Sequence, residues 1–136
     1  MKVYIATPVN ARSEATIEQK RQAAYERMLE VRGKLATIWD AEYHSSFDDG
    51  IAPIDIPCTK SEAYIMAECV ATVMECDVIV MDNGWNKSRG CKVEWFTAYQ
   101  YGKEIVYYDR ISQAVIDGVN RAIGVKSEFS RTKVDV

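Results

Sequence analysis

The feature that most constrains the fold is a short apolar run in the middle of the chain, DVIVM at 77–81. The run shows no polar alternation, which is typical of a strand buried on both faces. Such strands occur in parallel sheets that are covered by helices on either side. The sequence therefore predicts an α/β domain with a central parallel strand over 77–81.

Strand-like and helix-like patterns alternate around this run. KVYIA at 2–6 and EIVYY at 104–108 have the length and composition of strands. Apolar spacing predicts helices over 14–38, 60–75, 88–101 and 111–124, with an irregular segment at 39–59. Residues that could cap the first two helices are Ser13 or Thr16, and Thr59 or Ser61. We expect a three-layer sandwich around a mostly parallel sheet of about four or five strands.

Composition fits one soluble domain. The chain has 136 residues, 48% of them hydrophobic, so we expect a single domain over 1–136 with a polar tail at about 125–136. The net charge of −3 and the absence of a basic run argue against a nucleic-acid partner. No stretch resembles a membrane span or a signal peptide, so we expect a cytoplasmic protein with no membrane partner.

The cysteine pattern argues against a metal site. Cys58, Cys69, Cys76 and Cys91 form no C-x-x-C pair, and His44 is the only histidine. We therefore interpret the cysteines as small hydrophobic residues in a reducing compartment, and we expect no metal or redox cofactor.

A candidate ligand site follows the central strand. Ligands of open parallel sheets bind beyond the carboxyl ends of the strands, where the loops ATPVN and DNGWNKSRG should lie side by side. Ser88, Arg89 and Gly90 stand where a helix begins, and a hydroxyl, a glycine and free helix N–H groups suit a phosphate. Alternatively, Ser88 could simply cap the helix.

Glu94 gives this helix a second notable feature. It lies six residues past Ser88, about one and two-thirds turns into the helix. Since Val93, Phe96 and Tyr101 cannot all be exposed, we expect Val93 or Phe96 to face the sheet. Glu94 could be a solvated surface residue, or a nucleophile or base held at a fixed distance from a bound phosphate.

Other polar residues flank the same crevice. Tyr4, on the first strand, could direct its hydroxyl into the crevice or could pack for its ring alone. Asp82 and Asn83 lie at the carboxyl end of the central strand, where a base or sugar could be read. Asp77 lies at the opposite end, so we expect it to be structural.

Three segments together resemble the nucleoside 2-deoxyribosyltransferase-like superfamily, and in particular a subgroup of small bacterial and phage proteins. They are VYIATPV at 3–9, CDVIVM at 76–81 and GWNKSRGCKVE at 84–94. The last of these is quite specific. The resemblance covers 1–10 and 60–108 well, and the rest of the chain poorly.

This resemblance implies a flavodoxin-like fold and cleavage or exchange of the N-glycosidic bond of a (deoxy)nucleoside or its 5′-monophosphate. It implies that Glu94 is the nucleophile at C1′ and that Tyr4 orients it. In the nucleotide-hydrolysing branch, the residues matched by Ser88 and Gly90 hold the 5′-phosphate. Further candidate binding residues in or beside the matched segments are Thr7, Pro8, Asp82, Asn83, Trp85 and Arg89.

Two departures from the family pattern concern turnover. Cys69 stands where the family commonly has an aspartate near the leaving base, and the adjacent Glu68 would point about 100° away on a helix. Thr7 replaces a glycine of the first loop. The chain could therefore be a nucleotide-binding module or sensor without efficient turnover. Candidate proton donors for the leaving base are Glu68, Asp82, Asp48 and Asp49.

The aromatic residues of the same helix suggest self-association. Trp95 and Tyr99 are four residues apart and share a helix face. Aromatic residues with polar tips are enriched at protein interfaces, and the superfamily forms dimers or larger assemblies. We expect a homo-oligomer with Trp95 or Tyr99 near the contact. Alternatively, both rings pack under the helix predicted over 111–124.

Overall fold

The computed structural model describes residues 1–9, 16–48 and 61–111. In these ranges four parallel strands form one sheet in the order β2-β1-β3-β4. The strands are β1 (Lys2–Ala6), β2 (Glu42–Ser45), β3 (Val78–Met81) and β4 (Glu104–Tyr107). The order is that of the first four strands of a flavodoxin-like sheet. The expected α/β fold with a parallel sheet is therefore confirmed.

Three helices connect the strands in the described ranges: α1 (Ile17–Leu35), α2 (Glu62–Glu75) and α3 (Arg89–Gln100). Thr16 caps α1 and forms a capping box with Gln19. Ser61 caps α2 by accepting a hydrogen bond from the Tyr64 amide. A 3-10 turn, Trp85–Lys87, precedes α3.

The helices cover opposite faces of the sheet. On one face α1 packs against alternate strand residues: Ala24, Met28, Val31 and Leu35 against Val3, Ile5, Val78, Val80 and Val106. On the other face α2 and α3 cover the remaining strand positions: Val73, Cys91 and Ala98 against Tyr4, Ala6, Ile79, Met81 and Ile105. Because strand side chains alternate between faces, Tyr4 points towards α2 and α3.

The prediction that 39–59 is irregular was wrong, since β2 lies within it. Only Ser45 is buried in β2, which is an edge strand of the described sheet. Such a strand carries polar side chains and lacks the apolar pattern that identifies a central strand. Several predicted features lie outside the described residues: the helix 111–124 beyond Ile111, the tail at 125–136, Ser13, Asp49, Cys58 and Thr59.

Cys69, Cys76 and Cys91 are free thiols and are buried. No group of acidic, histidine and cysteine side chains in the described ranges could hold a metal ion. Over the same ranges, no helix has the length and apolar character needed to cross a membrane.

Candidate active site

The loops that follow β1 and β3 meet at the carboxyl edge of the sheet, where the strand order reverses. The Asp82 amide donates a hydrogen bond to the Ala6 carbonyl at 3.0 Å. A Cβ atom added to Gly84 would lie 3.7 Å from Cγ of Pro8, so the two loops are in contact. Gly84 has φ of +86°, a left-handed conformation that favours glycine. The predicted proximity of the two loops is therefore observed.

Tyr4 and Glu94 form a buried pair on the α2/α3 side of the sheet. The Tyr4 hydroxyl donates a hydrogen bond to Oε2 of Glu94 across 90 residues of sequence. Tyr4 is fully buried, and Glu94, on the second turn of α3, is 5% exposed. Glu94 is therefore not a solvated surface residue. Tyr4 contributes a hydrogen-bonding hydroxyl group as well as the apolar surface of its ring.

Burial changes the protonation of this pair. It raises the pKa of Glu94 from 4.5 to about 7, while hydrogen bonds from Tyr4 and Cys91 oppose the rise. The pKa of Tyr4 lies well above its usual range, first because of burial and second because of the neighbouring Glu94 charge. Near neutral pH, Tyr4 therefore remains a proton donor while Glu94 is about half ionised.

Two thiols complete the surroundings of the pair. Cys69, on α2, makes a hydrogen bond with Tyr4, and burial together with the charge of Glu94 raises its pKa to about 11. Burial raises the pKa of Cys91 to about 12. Both thiols are neutral at physiological pH. Glu68 is exposed, so α2 turns a thiol rather than a carboxylate towards Tyr4.

The candidate phosphate-binding site lies at the start of α3, at Ser88, Arg89 and Gly90. Ser88 is the N-cap, and its Oγ accepts a hydrogen bond from the Cys91 amide at 3.3 Å. The hydroxyl hydrogen is a further donor, as are the first-turn amides of Arg89 and Gly90, which have no carbonyl partner within the helix. The Arg89 side chain is 90% exposed and lies 3.7 Å from Glu62. A Cβ on Gly90 would make an ordinary contact with Met66, so packing does not require glycine there.

Asp82 belongs to an ion pair that the sequence did not reveal. Its two carboxylate oxygens accept hydrogen bonds from Nε and Nη2 of Arg27, both at 2.9 Å. Asp82 is 1% exposed, and Arg27 reaches it from α1 on the face of the sheet opposite Glu94. Arg27 is one of many charged residues on α1, and no local pattern distinguishes it.

The remaining candidates lie around the same edge. Pro8 is buried against the second loop, and Asn83 is exposed while its amide donates to Oδ1 of Asp82 at 2.7 Å. Thr7 is half-buried, and its Oγ1 has no hydrogen-bond partner among the described residues.

His44 is a second residue whose placement the sequence did not reveal. It pairs in register with Tyr4 across β1 and β2, on the same face of the sheet. Its ring nitrogens lie 2.8 Å from Oε2 of Glu42 and 2.9 Å from Oδ2 of Asp48. These hydrogen bonds raise the pKa of His44. The only available signal was that it is the single histidine of the chain.

The aromatic residues beside Glu94 form a stack. Trp95 lies between Trp85 and Tyr99, with ring centroids 5.7 and 5.4 Å away. The expectation that Val93 or Phe96 faces the sheet was wrong, because the two side chains are 41% and 57% exposed. Cys91, Glu94 and Ala98 occupy the buried face instead. Glu94 can take this place because Tyr4 gives its carboxyl group a partner.

Fold and site define a class: an α/β protein with a flavodoxin-like parallel sheet and a buried tyrosine–glutamate pair next to the reversal of strand order. The chain belongs to the family described as a domain of unknown function (DUF4406), whose model matches residues 1–107. The match includes every strand described above, α3 and all the candidate site residues. A comparison with curated proteins gives no match.

Proposed function

We propose that the protein cleaves or exchanges the N-glycosidic bond of a (deoxy)nucleoside or its 5′-monophosphate, with Glu94 as the nucleophile. The observation that carries the proposal is the buried hydrogen bond from Tyr4 to Glu94. A carboxyl group kept away from water is a stronger nucleophile than a solvated one, and Tyr4 fixes its direction. The resemblance of the surrounding motifs to nucleoside 2-deoxyribosyltransferases supports the choice of bond.

The chemistry is a double displacement. Tyr4 engages Oε2, so Oε1 is the oxygen that forms a bond to C1′ of the sugar. The bond between C1′ and the base breaks as this bond forms, and the base leaves with the electron pair. Water or a second base then attacks C1′ and releases Glu94 from the glycosyl ester.

The leaving base needs a proton. Asp82 is engaged with Arg27, and Glu68 is exposed on α2. Among the described residues we propose His44, which lies on the same face as Tyr4 and whose raised pKa keeps it protonated to higher pH than an ordinary histidine. Both of its ring nitrogens are paired, with Glu42 and Asp48, so it would exchange one of these hydrogen bonds for one to the base.

A 5′-phosphate would bind at the start of α3. The positive end of the helix dipole and the first-turn amides of Arg89 and Gly90 favour an anion there. The hydroxyl of Ser88 supplies one further donor. Glu94 lies six residues farther along the same helix, so phosphate and sugar carbon would be held by one rigid element.

Chromatography of free base tests the proposal. The protein is incubated with each common 2′-deoxynucleoside, ribonucleoside and corresponding 5′-monophosphate, and a Glu75→Gln variant, altered at an exposed site on α2, is the control. We expect both proteins to release base from at least one compound. Absence of release from every compound, with no exchange when a second base is added, would exclude the activity.

A second candidate is a nucleotide-binding module or sensor without efficient turnover. The specific observation in its favour is Cys69, a neutral thiol at the position that faces Tyr4. A thiol with a pKa of about 11 is a poor proton donor to a leaving base at neutral pH. Calorimetry separates the two candidates, since a sensor would bind a nucleotide tightly and release no base.

We further propose that the protein is a homo-oligomer. Trp95 and Tyr99 are half-buried in the aromatic stack of their own chain, whereas Val93 and Phe96 present apolar side chains on the outer face of α3. Exposed aromatic residues of this kind suit a protein–protein contact. The contact would therefore centre on Phe96 rather than on the stacked rings, next to the helix that carries Glu94.

A further inference from the structure

We propose that Arg27 is a positioning residue that holds the loop 82–88 through Asp82, and that it thereby controls affinity for a phosphorylated ligand at the start of α3. The identity of the ligand rests on the proposed function. The control of the loop rests on contacts within this chain alone.

Asp82 is the point from which the loop is held. Its amide donates to the Ala6 carbonyl at 3.0 Å, and its carbonyl accepts from the Trp85 amide at 3.1 Å. Its Oδ1 accepts from the Asn83 amide at 2.7 Å. Asp82 therefore fixes the end of β3 and the start of the 3-10 turn through its backbone, and the first residue of the loop through its buried side chain.

Arg27 makes this arrangement possible. A carboxylate that is 1% exposed needs a charged or hydrogen-bonding partner, and Arg27 gives it two parallel bonds of 2.9 Å. Arg27 is itself held, since Nη1 lies 3.2 Å from Glu30 and the guanidinium lies over the Tyr108 ring at 5.4 Å. Contacts with α1 and with Tyr108, which directly follows β4, thus help to set its direction in addition to its bonds with Asp82.

A continuous series of hydrogen bonds leads from Asp82 to the candidate phosphate-binding site at the start of α3. Within the 3-10 turn, the Lys87 amide donates to the Gly84 carbonyl and the Ser88 amide to the Trp85 carbonyl, both at 3.1 Å. Ser88 then caps α3. If the Asp82 side chain is released, the Asn83 amide loses its partner and the backbone of Asp82, which starts the turn, is held less firmly. The hydroxyl of Ser88 then loses its fixed place relative to the α3 amides.

Two variants test the inference. Arg27→Lys keeps the charge but offers one point of contact in place of a bidentate pair. The double variant Arg27→Gln/Asp82→Asn removes both charges together, so that no buried carboxylate is left without a partner and the chain can fold. Arg32→Gln, the same chemical change at an exposed position of α1, is the control. Circular dichroism establishes that each variant is folded.

The first readout is amide hydrogen exchange. In the double variant we expect the Asn83 and Trp85 amides to exchange at least tenfold faster relative to the β3 amides of Ile79 and Val80. A smaller acceleration is expected in Arg27→Lys and none in Arg32→Gln. Unchanged exchange at Asn83 and Trp85 in the double variant would overturn the positioning role.

The second readout is the preference for phosphate, measured by calorimetry as the ratio of affinities for 2′-deoxyadenosine 5′-monophosphate and 2′-deoxyadenosine. We expect the ratio to fall about tenfold in the double variant and less in Arg27→Lys. Faster exchange with an unchanged ratio would overturn the link between Arg27 and the ligand. A wild-type protein that binds neither probe would contradict the proposed function, whereas the exchange rates would still decide whether Arg27 holds the loop.

Discussion

Replacing Glu94 by glutamine should change the free energy of unfolding in a way that depends on pH. Measured as the difference from the wild type, the variant should gain stability as the pH rises from acid to alkaline. Glutamine has nearly the same shape, is neutral at every pH and can still accept a hydrogen bond from Tyr4 through its amide oxygen. The variant therefore removes the titration of one buried group and leaves the packing around it in place.

The pKa of Glu94 sets the sign and size of the effect. The value rises from 4.5 to about 7 on folding, so the folded protein holds this proton more tightly than the unfolded chain. The corresponding stabilisation is complete below pH 4.5 and is lost as pH rises through about 7. A difference of about 2.5 pH units corresponds to about 3 kcal/mol in the free energy of unfolding.

The assay is urea unfolding of the wild type and Glu94→Gln at intervals from about pH 4 to pH 8.5. Because all other ionisable groups are shared, the difference between the two free energies isolates Glu94. We expect the wild type to lose about 3 kcal/mol relative to the variant between the two ends of this range. Glu75→Gln, at an exposed position of α2, should show a small change with pH. A flat difference for Glu94→Gln would refute the view that burial keeps this carboxyl group partly protonated.

Three further predictions concern neighbouring residues. Tyr4→Phe removes a hydrogen bond that lowers the pKa of Glu94, so that pKa should rise by about 1–2 pH units in an NMR titration, and an unchanged value would show that the bond is weak. Ser88→Ala should cost about 1 kcal/mol of stability as a lost N-cap and should weaken binding of a monophosphate roughly tenfold more than binding of the nucleoside. Equal losses for both ligands in calorimetry would limit Ser88 to capping. Phe96→Glu should shift a homo-oligomer towards the 15.4 kDa monomer in light scattering while the chain stays folded, and a wild type that is already monomeric would contradict the proposed assembly.

The sequence predicted the central strands because their local composition is apolar, which indicates burial. VIVM is apolar over its whole length and KVYIA is so after Lys2, and both proved to be strands of a parallel sheet. Because both strands were predicted to be parallel, the loops that follow them were also predicted to lie together at the carboxyl edge of the sheet. Strand β2 was missed because EYHS lies at the edge of the described sheet and owes its conformation to pairing with β1.

The site was only partly predictable, because its decisive contacts join distant parts of the chain. Apolar spacing on α3 favoured Val93 or Phe96 as the sheet-facing residue, whereas Glu94 takes that place through its bond to Tyr4, 90 residues away. The pairing of Arg27 with Asp82 spans 55 residues and leaves no local signal. Such long-range polar pairs cannot be predicted from local sequence, because they form only when the sheet brings distant elements together.

The most direct test of the central claim compares the rate of base release by the wild type and by Glu94→Gln on whichever nucleoside or nucleotide the wild type cleaves. If Glu94 is the nucleophile, glutamine cannot replace it, and the rate should fall about a thousandfold or more while the affinity for the compound changes little. The unfolding curves of the same variant establish that it is folded during the assay. Base release by Glu94→Gln at more than about a tenth of the wild-type rate would contradict the role assigned to Glu94.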